Sequence, residues 1–139
     1  MMRITLRSDG EELLDRLSRS SERIAAERME LSRGLGLDVV EEVVGSHPVE
    51  TGRSRAGWES AAGALAGGGS GSGEGWGELE QEEQRTEARL INEVEYEPIL
   101  EYGTSQRPGT FVVRNALERV RAGSVGIRFR EFVQRIFGD

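Results

Sequence analysis

The chain has no cysteine and no lysine, one histidine and three prolines among its 139 residues. Without cysteine there is neither a disulfide framework nor a thiolate metal site. His47 is the single imidazole, and no carboxylates are spaced to complete a zinc site with it. No apolar run approaches the ~18 residues of a membrane span, and the start of the chain, MMRITLRSDGEE, lacks the apolar core of roughly 7–15 residues that a secretory signal needs. The expectation is a soluble protein made in a cytoplasm, with no cofactor and no metal. Apolar residues make up 36% and aromatics 6% of the chain, which implies that part of it stays unpacked. The absence of lysine means that all 18 basic residues are Arg. Either the chain uses bidentate guanidinium contacts throughout, or a GC-rich coding sequence set the choice, and the 19 glycines favour the second.

What is present is charge, 31% of the residues with a formal net of −7, and a length that suits one domain over 1–139. Such a domain buries roughly two-thirds of its unfolded surface. Arg3 to Arg7 alternate as a short half-buried strand would, with Ile4 and Leu6 on one side. Asp9 followed by Glu12 predicts an N-cap and a helix from Gly10 or Glu11. Leu13, Leu17, Ile24, Leu31, Leu35, Val39 and Val43 make one narrow stripe along it. Gly34 and Gly36 predict a kink or break before the helix resumes through Val44, and Gly45 to Pro48 end it.

Val49 to Trp58 reads as a polar turn whose tryptophan caps the core, and the glycine spacing is wrong for a phosphate-binding loop. Residues 61–77, AAGALAGGGSGSGEGWG, read as a flexible loop. Trp76 within it is either an anchor for a partner or a packing residue for the adjoining segment. The acidic run ELEQEEQ from Glu78 reads as solvated, or else as a negative wall that keeps DNA from sticking. Thr86 to Tyr96 is the clearest strand, with Ala88, Leu90, Asn92, Val94 and Tyr96 on one face and Ile91 interrupting the polar one. Glu97 to Tyr102 predicts one helical turn with Pro98 at its start, followed by turn signals at Gly103-Thr104 and Pro108-Gly109. Either Thr110 caps a helix that is set by about Val113, or Phe111 to Val113 form a brief strand first. Gly123 to Gly126 read as a hinge, and Phe129, Phe132, Val133, Ile136 and Phe137 as a second amphipathic face.

Two separated patterns carry a resemblance. The first is Glu50-Thr51-Gly52 with Arg55 and Trp58, after the long helix. The second is Asn92, Tyr96, Glu101, Gly103-Thr104, Phe111 and Ala116-Leu117. In order and spacing they resemble the tail-component family of long-tailed, siphovirus-like bacteriophages, the neck and tail-completion proteins. The match runs from about Leu13 to Val120. Ser54 stands where that pattern has a large aliphatic residue, Gly57 where it has Ser, Glu97 where Ala follows the Tyr, and Val113 where Pro is frequent.

The resemblance implies an α+β fold, a long N-terminal helix packed on a small antiparallel sheet, with the Gly/Ser-rich loop and C-terminal helices. It further implies a virion protein of the head-tail junction that forms a ring with copies of itself, six-fold by expectation. The partners would be the head connector or stopper protein and the tail terminator or tail tube protein, with DNA passing through the ring unread. Thr51, Gly52, Arg55, Trp58, Trp76, Asn92, Tyr96, Glu101, Gly103, Thr104 and Phe111 are the candidates for structural anchors or subunit contacts. Two other readings compete. The six Arg from Arg114 to Arg135 would neutralise phosphates in a nucleic-acid binder, against the net negative charge. An enzyme would use Glu97 and Glu101, but an i, i+4 pair of this kind is ordinarily a solvated helix face.

Overall fold

The computed structural model describes residues 10–47, 52–69, 71–82 and 85–138, with side chains from residue 19 onward. The expected strand from Arg3 to Arg7, the Asp9 cap and Thr51 lie outside the described residues. The rest is α+β: helix α1 Gly10–Ser46, helix α2 Gly52–Leu65, strands β1 Gly75–Gln81 and β2 Thr86–Asn92, then helices α3 Glu97–Tyr102, α4 Val112–Ala122 and α5 Ser124–Phe137.

Helix α1 is the spine. Its 37 residues span about 55 Å at 1.5 Å per residue. It starts where Gly10 was expected to start it, but it does not break at Gly34 and Gly36. Both glycines are buried points of close approach. A Cβ on Gly34 would collide with the Arg128 guanidinium, and one on Gly36 would fall 2.6 Å from a Leu65 methyl. The helix therefore gives up some propensity in exchange for neighbours on two sides. This also explains Val40, outside the expected stripe yet only 4% exposed: the buried sector of α1 is wider than one row of apolar residues.

α2 and the sheet cover one side of α1. The strands pair antiparallel, Gly75 with Asn92 through Gln81 with Thr86. On the inward side of β1 stand Gly75, Gly77 and Leu79, while the outward side carries Trp76, Glu78 and Glu80. α2 lies directly on that glycine edge. Its buried residues are Ser54, Gly57, Ser60, Ala61 and Leu65, so the two backbones meet almost without side chains between them.

Two expectations are corrected here. Val49 to Trp58 is not a turn throughout, because α2 begins at Gly52, although Trp58 does pack against the core of Val43, Val112 and Ala116. The segment 61–77 is not one loop: 61–65 complete α2, and Gly75, Trp76 and Gly77 belong to β1. Gly73 is tied to α2 between them, donating its N–H to Ser60 Oγ at 2.9 Å.

β2 stops at Asn92, short of the expected Tyr96. The Asn92 side chain causes this. Its Oδ1 accepts the Val94 N–H at 3.1 Å, an Asx turn that gives the backbone an alternative to a further ladder rung. Val94 is nonetheless buried, at 2% exposure. α3 then forms as expected, with Pro98 in its first turn. Gly103 closes it at φ 80°, in the left-handed region, donating to Ile99 O at 2.8 Å.

The helix expected from about Val113 forms, beginning at Val112, but neither expectation for Thr110 and Phe111 holds. Thr110 does not cap α4 and there is no strand. Thr110 and Phe111 instead donate their N–H groups to Leu100 O and Glu101 O, at 2.8 and 3.1 Å. Phe111 itself is left-handed at φ 49°, a conformation costing a non-glycine residue ~1–2 kcal/mol. α4 and α5 return along the other side of α1 and break only at Gly123. Arg128 pairs with Asp38, Arg119 with Glu42 and Arg135 with Glu27.

Candidate functional site

The two sequence patterns, separated by more than 30 residues, converge on one buried polar knot where the end of α1, the start of α2 and the start of α3 meet. Ser54 lies at its centre with no exposed surface. Its hydroxyl donates to Glu97 Oε2 and stands 3.1 Å from His47 Nε2. The other Glu97 oxygen accepts the Trp58 indole N–H at 3.0 Å. Asn92 Nδ2 donates to the Ser54 carbonyl at 2.8 Å. A Cβ on Gly57 would run into the Asn92 side chain, so the small residue is what lets α2 approach the end of β2. Three of the four departures from the family pattern, Ser54, Gly57 and Glu97, thus sit in one cluster. A serine paired with a glutamate stands where the pattern has an aliphatic residue and an alanine.

Serine, histidine and glutamate in contact invite comparison with a nucleophile triad, and the arrangement differs from one. In a triad the base takes the serine proton and the carboxylate orients the base. Here the serine proton goes to the carboxylate, and the serine has no surface to offer a substrate. What the knot can do is satisfy its own buried polar atoms and fix three chain segments against one another. Among the described residues no group of three or more histidine, aspartate or glutamate side chains stands close enough to hold a metal ion.

Glu97 and Glu101 are not a solvated pair. They are 8% and 6% exposed, and each has a separate task. Glu101 accepts the N–H groups of Val113 and Arg114 at 2.9 and 3.0 Å. It caps α4 from another element, in place of the side-chain cap that Phe111 cannot supply. Glu97 is held above the usual carboxylate range chiefly by burial, opposed by the Trp58 hydrogen bond and by His47, and reinforced by the charge of Glu101.

With the folded-state value raised, the folded protein keeps a proton that the unfolded chain has lost. Stability contributed through Glu97 therefore falls as pH rises from the unfolded value through the folded one, and is level above it. Glu97→Gln should remove that decline. Its carbonyl can accept from Trp58, while its amide donates to Ser54, whose proton then turns to His47. Urea midpoints measured from pH 4 to 8 should show the wild type losing stability relative to the variant as pH rises; parallel curves would refute the assignment.

The remaining candidates fall into three groups. Tyr96 is half-buried beside the knot, its ring 5.7 Å from the Arg53 guanidinium, which in turn holds Glu74 bidentately. Gly103, Thr104 and Phe111 belong to the α3–α4 corner, where Thr104 N–H reaches Arg107 O at 2.8 Å and Gly103 bridges to Pro108. Gly52 and Arg55 are exposed on α2, Arg55 pairing with Glu59 at 3.2 Å. Trp76 lies away from the knot on the outer sheet face, opposite Ile91. Sequence reasoning missed His47 and Ser54 as members of a site. The only available signal was the buried-residue arithmetic of α2, whose apolar pattern is too weak to reveal a packed face. No family model, curated protein or solved structure matches the chain.

Proposed function

We propose that the chain is a structural phage protein of the head-tail junction, a neck or tail-completion protein that assembles into a ring and joins the head connector to the tail. The observation that carries this reading is the convergence of the two family-like stretches. Gly52 to Trp58 and Asn92 to Glu101 meet in one corner, where Asn92 of the second stretch donates to the backbone of the first and Trp58 of the first reaches α3 of the second. The buried knot is occupied in holding the fold, so the reading is of an assembly component and not of an enzyme.

A tail terminator capping the tube is the alternative within the same class. The nucleic-acid reading loses ground, because four of the six Arg between Arg114 and Arg135 are engaged with Glu118, Glu42, Asp38 and Glu27. Arginines already paired release few counterions on meeting phosphate.

Electron microscopy of lysates from a phage lacking this gene tests the proposal. DNA-filled heads beside free tails of normal length are the expected result. Tails of abnormal length would shift the assignment to the terminator, and ordinary complete virions would overturn both.

A further inference from the structure

Two exposed surfaces of opposite charge each have an apolar centre. The first is the outer face of the sheet. Trp76 and Ile91 oppose each other across the strands, 44% and 43% exposed. Beside them Glu78, Glu80 and Glu87 surround Arg89, at 3.5, 3.0 and 3.3 Å, and Glu87 also meets Arg85 at 2.9 Å. Three carboxylates against two guanidiniums leave this face negative. Glu80 stands directly opposite Glu87, a like-charge pair that ordinarily destabilises a sheet.

The second surface is the solvent side of α5. Phe132 and Ile136 are half-buried, while Val125, Phe129 and Phe137 are exposed. Val125 and Phe129 stand on adjoining turns, and Phe137 lies about two turns farther on and about 80° round the helix. The apolar arc of α5 is thus wider than its contact with the rest of the chain uses. Arg130 is exposed on α5 and makes no ion pair among the described residues, so this side is positive.

Contact between two α5 faces would oppose like charges, as would contact between two sheet faces. Only the unlike combination matches both charge and apolar centre. We infer that the α5 face of one copy seats on the outer sheet face of the next, Phe129 on the Trp76–Ile91 pair, with Arg130 toward the glutamate row. Such a contact is heterologous and repeats, giving a ring if the rotation closes. The ring rests on the function proposed above, whereas the contact itself does not.

The absence of native cysteine makes the test direct, since introduced thiols are the only ones. Glu78→Cys and Arg130→Cys chains, mixed and treated with a short bis-maleimide, are expected to give a cross-linked dimer that neither gives alone. The double variant is expected to give a ladder of multimers. Adding Phe129→Asp should cut the product about tenfold, with Phe129→Ser as a second variant and circular dichroism melts to establish folding. Cross-linking of either single variant with itself as readily as in the mixture overturns the inference, and so does an unreactive mixture. A ladder from a protein whose deletion leaves virions complete would sink the proposed function and keep the contact. Free heads and tails with no ladder would do the reverse.

Discussion

Gly75→Ala is expected to destabilise the fold by about 3 kcal/mol, the upper end for overpacking a core, and to lower the melting temperature by roughly 10 °C for a domain of this size. The reason is where the added methyl goes. It would land on the backbone carbonyl of Gly57 and within 3.1 Å of Ile91 O. A flexible side chain could swing aside, but these obstacles are the backbones of α2 and β2. The sheet and the helix would have to separate, loosening Leu65 and Ala61 from their buried positions. Gly126→Ala provides the opposite sign. Nothing lies within 4 Å of a Cβ there, and the exchange within a helix should stabilise by up to ~1 kcal/mol. Thermal melts of the two variants decide the matter, and equal shifts would show that the close approach of α2 to β1 carries little energy.

Replacing Glu101 by Ala should cost about as much, ~3 kcal/mol, because two amides lose their acceptor at once and an unsatisfied buried donor costs ~1–3 kcal/mol. Both amides belong to the first turn of α4, where a cap alone contributes ~0.5–2 kcal/mol. Glu101→Gln keeps one acceptor oxygen and should lose roughly half as much. Amide hydrogen exchange gives a readout that general destabilisation would not reproduce. In the Ala variant Val113 and Arg114 should lose protection by a larger factor than Val120, which sits farther along the same helix. Uniform loss along α4 would mean that Glu101 acts through packing and not as a cap.

These two positions also mark the limit of what the sequence discloses. The long helix, the Pro98 turn and the paired C-terminal helices are legible in periodicity and punctuation, and β2 in its alternation. α2 and β1 are hidden for one shared reason. Their mutual face is built from Ser54, Gly57, Ser60 and Ala61 against Gly75 and Gly77, and small residues leave no mark on a hydrophobic pattern. Glycines that resemble a linker in composition are here the means of close contact. The knot is concealed differently. Glu97 and Glu101 form an ordinary solvated spacing, but Glu97 is buried against residues more than 40 positions earlier, at His47 and Ser54, and Glu101 against the first amides of α4, neither of which local reasoning can place. Composition leaves Trp76 between anchor and packing residue, and the fold places it partly exposed on the outer sheet face opposite Ile91, a position that suits both.

The pairing of α1 with α5 has a consequence in time. Arg128 reaches back 90 residues to Asp38 and Arg135 reaches back 108 to Glu27, so the spine's second side is clothed by residues synthesised long after it. Non-local contacts of this span form late and slowly. On a ribosome, the stretch of α1 from Glu27 to Asp38 must wait bare on that side until α5 has emerged. The helix that covers it is also the one proposed to meet the next copy, so a chain still lacking α5 would have no means of joining its neighbours.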